Sequence, residues 1–231
     1  MAALRIGGLT PLTTLDYPGH LASVVFLQGC AWRCRYCHNP ELMDATAPTD
    51  IDWADVLHML HERREFIDAV VFSGGEPLLQ NGLEDAIAEV KAMGLKVALH
   101  TSGMVVKRFA QLLPQLDWVA LDIKHLPAQT DLVTQVEDSG HANWAALTRL
   151  LVSETPYEVR TTAHPQLISA DGIMRLALTL QGMGVENYAL QISHNQRCFD
   201  PKLSNLHYDP LELKELEGKL SGLFPHFEIR H

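Results

Sequence analysis

The sequence predicts an α/β fold, a partial (β/α)6 barrel in which a parallel sheet is covered by outer helices. Two observations carry this prediction. Short apolar runs rich in β-branched residues alternate with longer amphipathic runs, as in βα units around a parallel sheet. Six short runs are apolar until their last residues and then turn polar, as expected where parallel strands end at one catalytic face. The 231 residues suffice for a substantial core, and we predict a single domain over 1–231.

The short runs give six predicted strands. They cover residues 23–28, 69–73, 96–101, 118–124, 157–162 and 187–193. With six strands the barrel is expected to close incompletely and to leave a lateral cleft. The least regular segments, residues 126–141 and 196–208, are predicted loops that could face a partner.

The longer runs predict helices with one buried face. Apolar residues recur at i, i+3, i+4 and i+7 in three stripes: Trp53, Val56, Leu57 and Leu60; Leu83, Ala86, Ile87 and Val90; Ile173, Leu176, Ala177 and Leu180. A last helix is predicted to start with Asp209 as N-cap and Pro210 at its first position. Its buried residues are predicted to be Leu213, Leu216, Leu220 and Leu223.

Composition and charge exclude two classes of partner. The chain has 47% hydrophobic and 20% charged residues, as an ordinary globular protein does. A formal charge of -10 disfavours nucleic acid, because binders of phosphate backbones depend on clustered Lys and Arg. No apolar stretch approaches membrane-spanning length and the amino terminus lacks the apolar region of a signal peptide. We therefore predict a cytoplasmic protein with no membrane partner.

Three of the four cysteines lie within eight residues directly after the first predicted strand, at Cys30, Cys34 and Cys37. Thiolate ligands select iron–sulfur clusters, zinc or copper(I). A cubane cluster normally takes four thiolates, so three leave one iron open to a small molecule. A zinc site that adds His38 has acceptable ligand types, but structural zinc sites usually draw two pairs from separated segments. A disulfide with a spare thiol is the weaker alternative, because nothing indicates an oxidising compartment.

The second and third strands end in residues with chemical use. Gly74 and Gly75 permit a close backbone approach that a Cβ would forbid, and Glu76 follows them. A plain turn before a helix is the alternative for this glycine pair. The third strand runs into Thr101 and Ser102.

The fourth to sixth strands place charged groups at the same predicted face. Asp122 and Lys124 are i and i+2 on a strand and should point the same way. A buried structural ion pair is the rival account of this pair. The alternation of the fifth strand puts Arg160 on a side with Glu158, and the sixth strand ends at His194, for which a satisfied structural histidine is the alternative.

The pattern Cys-x3-Cys-x2-Cys, with Tyr36 before the last cysteine, resembles the radical S-adenosylmethionine (SAM) superfamily. Residues 16–19 (Asp-Tyr-Pro-Gly), 36–40 (Tyr-Cys-His-Asn-Pro), 73–76 and 121–124 extend the resemblance to the glycyl-radical-enzyme activases. Within that family the chain is most similar to the activating proteins of anaerobic ribonucleoside-triphosphate reductase, which are related to pyruvate formate-lyase activating enzyme. The similarity runs from about residue 12 to residue 194.

The resemblance implies roles for the residues at the strand ends. The implied ligands of one [4Fe-4S] cluster are Cys30, Cys34 and Cys37. Tyr36 is implied to contact the adenine of SAM through its backbone. The residues implied to lie near the methionyl amino group are Gly74, Gly75 and Glu76, and those near the carboxylate are Asp122 and Lys124. Four further residues are implied to complete the SAM pocket: Thr101, Ser102, Arg160 and His194. The candidate catalytic residues among them are Lys124, Arg160 and His194.

The resemblance also implies the reaction and the partners. A flavodoxin-like or other low-potential donor reduces the cluster, and SAM is cleaved to methionine and a 5′-deoxyadenosyl radical that takes a hydrogen atom from a glycine Cα of a partner enzyme. The expected partner is anaerobic ribonucleoside-triphosphate reductase. One alternative is a radical SAM enzyme that acts on a small molecule or another peptide. A non-catalytic zinc or iron–sulfur module is the other, but it would have no use for Glu76, Lys124 and Arg160 at one barrel mouth.

One position departs from the family pattern. The activase with the best-defined pattern has an aspartate that helps hold a monovalent cation beside SAM, whereas this chain has His100, so a cation site is doubtful here. Many family members carry further cysteine clusters. Here only Cys198 is left over, and one thiol cannot hold a second cubane. We interpret Cys198 as a small buried hydrophobic residue.

Overall fold

A computed structural model describes residues 4–193, 198–203 and 206–231. Its described part contains one eight-stranded sheet whose strands follow each other in chain order. The strands are β1 Ile6–Thr13, β2 Ala22–Leu27, β3 Ala69–Gly74, β4 Lys96–Thr101, β5 Trp118–Asp122, β6 Tyr157–Ala163, β7 Asn187–Ile192 and β8 His226–Arg230. Strands β2 to β8 are parallel, and β1 pairs antiparallel with β2. The predicted α/β class with a parallel sheet and outer helices is confirmed.

Helices follow most of the parallel strands. They are α1 Trp53–Arg63, α2 Leu83–Ala92, α3 Val106–Leu112, α4 Thr130–Thr134, α5 Ser139–Leu151, α6 Ala170–Gly182 and α7 Pro210–Ser221. Their apolar stripes pack on the outer face of the sheet and form the main core. The predicted cap of α7 is confirmed, because the Asp209 carboxylate accepts hydrogen bonds from the backbone N–H groups of Leu211 and Glu212. Leu216 and Leu220 are buried, while Leu213 and Leu223 are partly buried against the core.

The inner face of the sheet carries small residues. The apolar cluster there is built from Ala22, Val24, Ala69, Val71, Ala98 and Ala120, with Tyr17, Trp118 and Phe26. Tyr17 and Trp118 stack with their ring centroids 5.3 Å apart. Because most of these side chains are small, they leave space on the inner face of the sheet, at the carboxyl ends of the strands, where a ligand could lie. Among the described residues, no pairing joins the edge strands β1 and β8, so the barrel is partial.

The prediction missed both edge strands. β1 contains Gly7, Gly8 and Pro11, which weaken a strand pattern, and only Ile6 of its eight residues is fully buried. β8 is short and partly exposed, so its apolar alternation is limited to Phe227 and Ile229. Edge strands bury one side only, and their sequences are therefore less diagnostic than those of β2 to β7.

The predicted loop over residues 126–141 is wrong. That segment forms a 3-10 turn, the helix α4 and the first turn of α5. The helices were obscured because α4 is only five residues long and α5 starts at Ser139-Gly140, residues of low helix propensity. The short helix α3 was missed as well. The described residues of 196–208 contain neither helix nor strand, as predicted.

Within the described part of the chain, no helix is both long enough and apolar enough to cross a bilayer.

Candidate active site

A cavity of about 330 Å³ opens at the carboxyl ends of the parallel strands. It gathers most of the residues predicted from the sequence to bind a cluster or SAM. Those that line it are Cys30, Cys34, Tyr36, Cys37, Gly74, Gly75, Thr101, Ser102, Asp122, Lys124 and Arg160. His194, another predicted site residue, lies outside the described residues. Glu76 lies behind the wall of the cavity and is 1% exposed.

The cysteine loop is held on both sides by backbone hydrogen bonds. On one side, the N–H groups of Arg33 and Arg35 donate to the carbonyls of Thr134 and Val133 in α4, each over 2.9 Å. On the other side, the N–H of Asp200 donates to the Arg35 carbonyl over 2.9 Å. The Arg35 Nε group also pairs with the Asp200 carboxylate at 2.7 Å. The loop therefore presents its thiols from a fixed backbone, although it has no helix or strand of its own.

The three thiols are partly buried and face the same cavity. Burial raises the pKa of Cys30 to about 11 and that of Cys34 to about 12, and it also raises the pKa of Cys37. Thiolates in such surroundings need a cation for stabilisation, which iron coordination provides. The donor set fits a cluster with three sulfur ligands.

The glycines at the end of β3 bring the backbone close to the cysteine loop. Gly74 has φ +115°, and a Cβ there would lie 2.3 Å from the backbone nitrogen of Leu27. A Cβ on Gly75 would lie 2.3 Å from the carbonyl oxygen of Gly29. Only glycine permits this approach, which places the backbone of residues 74 and 75 on the cavity wall beside the thiols.

Glu76 clamps the ends of β3 and β4 together. One carboxylate oxygen accepts from the Thr101 hydroxyl at 2.6 Å and the Leu78 N–H at 3.1 Å. The other accepts from the Ser102 hydroxyl at 2.5 Å and the Ser102 N–H at 3.0 Å. These four bonds occupy both oxygens inside the protein. In this geometry Glu76 supports Thr101 and Ser102, which line the cavity.

Asp122 and Lys124 point the same way, as predicted. Lys124 Nζ donates to Asp122 Oδ2 over 2.8 Å and lies 5.7 Å from the centroid of the Tyr36 ring. Burial opposes both charges, but the contact with Asp122 raises the pKa of Lys124 well above its ordinary value. Lys124 holds the pKa of the buried Asp122 carboxyl below its usual range. The pair therefore stays charged at the cavity wall.

Asn143 in α5 was not predicted as a site residue. It is 0% exposed, and its Nδ2 group donates to the carbonyls of Ser102 and Asp122, each over 2.8 Å. Its Oδ1 atom accepts from the Lys124 N–H over 3.1 Å. Asn143 thus joins the ends of β4 and β5. Asn143 could not be identified from the sequence, because α5 was not predicted and no motif surrounds this residue.

The Arg160 side chain is bound by Glu158 and packs against the rings of Trp118 and His100. Its Nε group donates to Glu158 over 2.5 Å, and its Cζ atom lies 5.2 Å from the centroid of the Trp118 ring. Nη1 lies 3.4 Å from Nδ1 of His100. Burial, reinforced by the Arg160 charge, lowers the pKa of His100 to about 3, so this imidazole is neutral. The His100 Nε2–H donates to the Asp16 carbonyl over 2.7 Å.

Comparison with known proteins places the site in a family. The model of the Radical SAM superfamily matches residues 24–153, which include all three clustered cysteines. The chain belongs to the radical SAM superfamily. Enzymes of this family use a [4Fe-4S] cluster and SAM, so the predicted cofactors are confirmed at the level of the family.

Within this superfamily, the chain is similar to proteins named as activating enzymes. A Methanocaldococcus jannaschii protein that bears the provisional name of a glycyl-radical enzyme activating enzyme is 28% identical over 94% of this chain and 91% of its own length. The pyruvate formate-lyase-activating enzyme of Clostridium pasteurianum is 35% identical, over 53% of each protein. The chain thus spans about half the length of that second relative. The prediction of a radical SAM enzyme related to the glycyl-radical-enzyme activases is confirmed.

Solved structures share the fold. SuiB of Streptococcus suis, crystallised with S-adenosylmethionine, matches with a TM-score of 0.71 at 12% identity, over 88% of this chain and 48% of SuiB. QueE of Escherichia coli matches with a TM-score of 0.58 at 15% identity, over 100% of this chain and 96% of QueE. Both likenesses support the partial barrel.

Proposed function

We propose that this enzyme activates a glycyl radical enzyme, and that its target is anaerobic ribonucleoside-triphosphate reductase. The observation that carries the proposal is one cavity lined by three thiols, a glycine backbone and two cationic side chains. When bound, the reduced cluster supplies one electron that splits SAM into methionine and a 5′-deoxyadenosyl radical, which takes a hydrogen atom from a glycine Cα. The relatives named as activating enzymes support the class of target.

The chain's own residues would divide the work as follows. Cys30, Cys34 and Cys37 hold the cluster on a loop fixed by α4 and residues 199–200. The backbone at Gly74 and Gly75 forms a closely packed wall against which the methionyl end of SAM would rest. The remaining protein contribution is to orient SAM and to exclude water from the radical.

The charged residues would bind the carboxylate end of SAM. Lys124 and Arg160 both line the cavity, and the contact with Asp122 keeps Lys124 charged there. A carboxylate held by partly desolvated cations is bound more strongly than one at the surface, because water screens the contact less. Asp122 fixes the lysine in place.

The open side of the barrel would admit the target. A glycine target must enter as an extended segment, since the Cα has to approach the radical closely. The unpaired edges of β1 and β8 leave such a side among the described strands. Ordering the segment costs free energy, so we expect weak binding. A low-potential donor such as a flavodoxin-like protein would supply the electron, and the reaction belongs in the cytoplasm, where thiols stay reduced.

The proposal is tested by mixing anaerobically reconstituted protein and SAM with the reductase or with pyruvate formate-lyase from the same source. Electron paramagnetic resonance should detect a glycyl radical on the reductase, and replacing its target glycine by alanine should remove the signal. A signal on the lyase alone would contradict the assigned target but keep the class. SAM cleavage without a protein radical on either enzyme would refute the proposal and favour a small-molecule or peptide substrate.

A further inference from the structure

The Nη2 group of Arg160, in the wall of the cavity, has no hydrogen-bond partner among the described residues. The group itself is buried. The residue is 7% exposed and lines the cavity. Buried polar groups in proteins nearly always have a partner, and the guanidinium geometry matches carboxylates and phosphates. SAM carries one carboxylate, so Nη2 has a suitable acceptor when SAM is bound.

Arg230 of β8 helps to fix the Arg160 guanidinium, because both arginines donate to the Glu158 carboxylate. Glu158 accepts from Arg160 and also from Arg230, whose Nη1 and Nη2 groups donate over 2.9 and 2.8 Å. Burial opposes the charge of Glu158, but the two arginines hold the pKa of its carboxyl below its usual range. Glu158 thus receives three charge-assisted bonds and cannot swing freely.

A small residue on β7 makes this contact possible. Ala189 lies opposite Arg160 on β6 and opposite Glu228 on β8. Partners in neighbouring strands share a face of the sheet. The Ala189 side chain is only a methyl group, so it leaves space on this face of β7 between Arg160 and the β8 residues that include Arg230, which bonds to Glu158. On the other flank of Arg160, the neutral His100 ring and Trp118 close the space.

We infer that Glu158 and Arg230 are positioning residues that hold Arg160 with its Nη2 group free for the SAM carboxylate. Neither residue lines this cavity, although Arg230 lines a smaller neighbouring one, and the contact that links both residues to the SAM site runs through Arg160. The inference rests on SAM occupying this cavity, and it deepens the proposed function by giving β8 a part in SAM binding. It also means that the affinity for SAM depends on a strand outside the six-stranded barrel predicted from the sequence.

Arg230→Met tests the inference directly. The anaerobically reconstituted variant should keep its iron content and bind SAM about tenfold more weakly, as measured by equilibrium dialysis with labelled SAM. The SAM-induced change in the resonance spectrum of the reduced cluster should require a correspondingly higher SAM concentration. Arg230→Lys, which keeps the charge but loses the paired donors, should recover only part of the affinity. Lys219→Met removes a cation from an exposed ion pair in α7 and serves as the matched control, with unchanged affinity.

A double-mutant cycle separates positioning from a general loss of stability. Arg160→Met should weaken SAM binding, and adding Arg230→Met to it should weaken binding no further. Independent effects in the double variant would overturn the inference, as would an unchanged affinity in both Arg230 variants. If Arg230→Met lost its iron, the Arg230→Lys variant would decide by the same measurements. Failure of the proposed function is distinguishable, since the parent would then bind SAM but form no glycyl radical.

Discussion

Glu76→Ala should destabilise the protein before it affects any chemistry. The substitution removes a buried carboxylate that accepts four hydrogen bonds. The hydroxyls of Thr101 and Ser102 can rotate toward other acceptors, but the N–H groups of Leu78 and Ser102 cannot. Each orphaned N–H costs about 1–3 kcal/mol, and the variant no longer pays for a buried charge. We expect a net loss of about 2–4 kcal/mol, a large fraction of the 5–15 kcal/mol typical of a domain.

Urea denaturation of the cluster-free, reduced protein measures this loss. The midpoint should fall while the slope stays constant, because the same surface is exposed on unfolding. Glu76→Gln should lose about half as much, since it retains one acceptor oxygen but turns an amide donor toward Ser102. Glu65→Ala, at an exposed acid, is the control and should change stability by no more than about 0.5 kcal/mol.

One pattern of results would give Glu76 a different role. If Glu76→Ala were as stable as the parent but failed to bind SAM, the carboxylate would be a ligand contact and not a clamp. The resemblance to activases places Glu76 near the methionyl amino group, so this experiment decides between that role and the geometry described above.

Three further predictions concern the cluster, the SAM pocket and the buried histidine. Cys34→Ala should abolish the cluster while Cys198→Ala should retain it, as iron and sulfide analysis with electron paramagnetic resonance will show; equal loss in both variants would contradict the ligand set. Lys124→Ala should keep the iron but raise the Kd for SAM about ten- to a hundredfold, because a charge-assisted bond is worth about 1.5–3 kcal/mol; an unchanged Kd would make the Asp122 pair purely structural. The pKa of His100 is depressed to about 3, so its contribution to stability is complete above about pH 6.5 and is lost as the pH falls toward 3. His100→Gln should therefore show a flatter decline of stability over that range, and parallel pH profiles would refute the assigned neutral state.

The sequence located the site because parallel strands bring their carboxyl ends together. Polar residues after apolar runs at Cys30, Gly74, Thr101 and Asp122 could be assigned to one face without coordinates. The six central strands could be located because each is buried on both sides and reads as an apolar run. Their observed ends differ from the predicted ones by at most two residues.

What the sequence could not show were contacts between distant segments. Glu158 and Arg230 are 72 residues apart, and only the pairing of β6, β7 and β8 brings them together. The role of Asn143 depends on where α5 crosses the strand ends. Glu76 could be assigned to the site by its motif, but whether its carboxylate faces the ligand or the protein depends on the rotation of the side chain, which spacing does not encode.

We propose that the radical made in this cavity takes its hydrogen atom from a glycine of a partner enzyme. The most direct measurement uses reductase whose glycine residues carry deuterium at Cα, incubated with the reduced protein and SAM under anaerobic conditions. Mass spectrometry of the 5′-deoxyadenosine should then find one deuterium atom, in an amount equal to the glycyl radical formed. Product without deuterium would show that the hydrogen comes from elsewhere and would contradict the account.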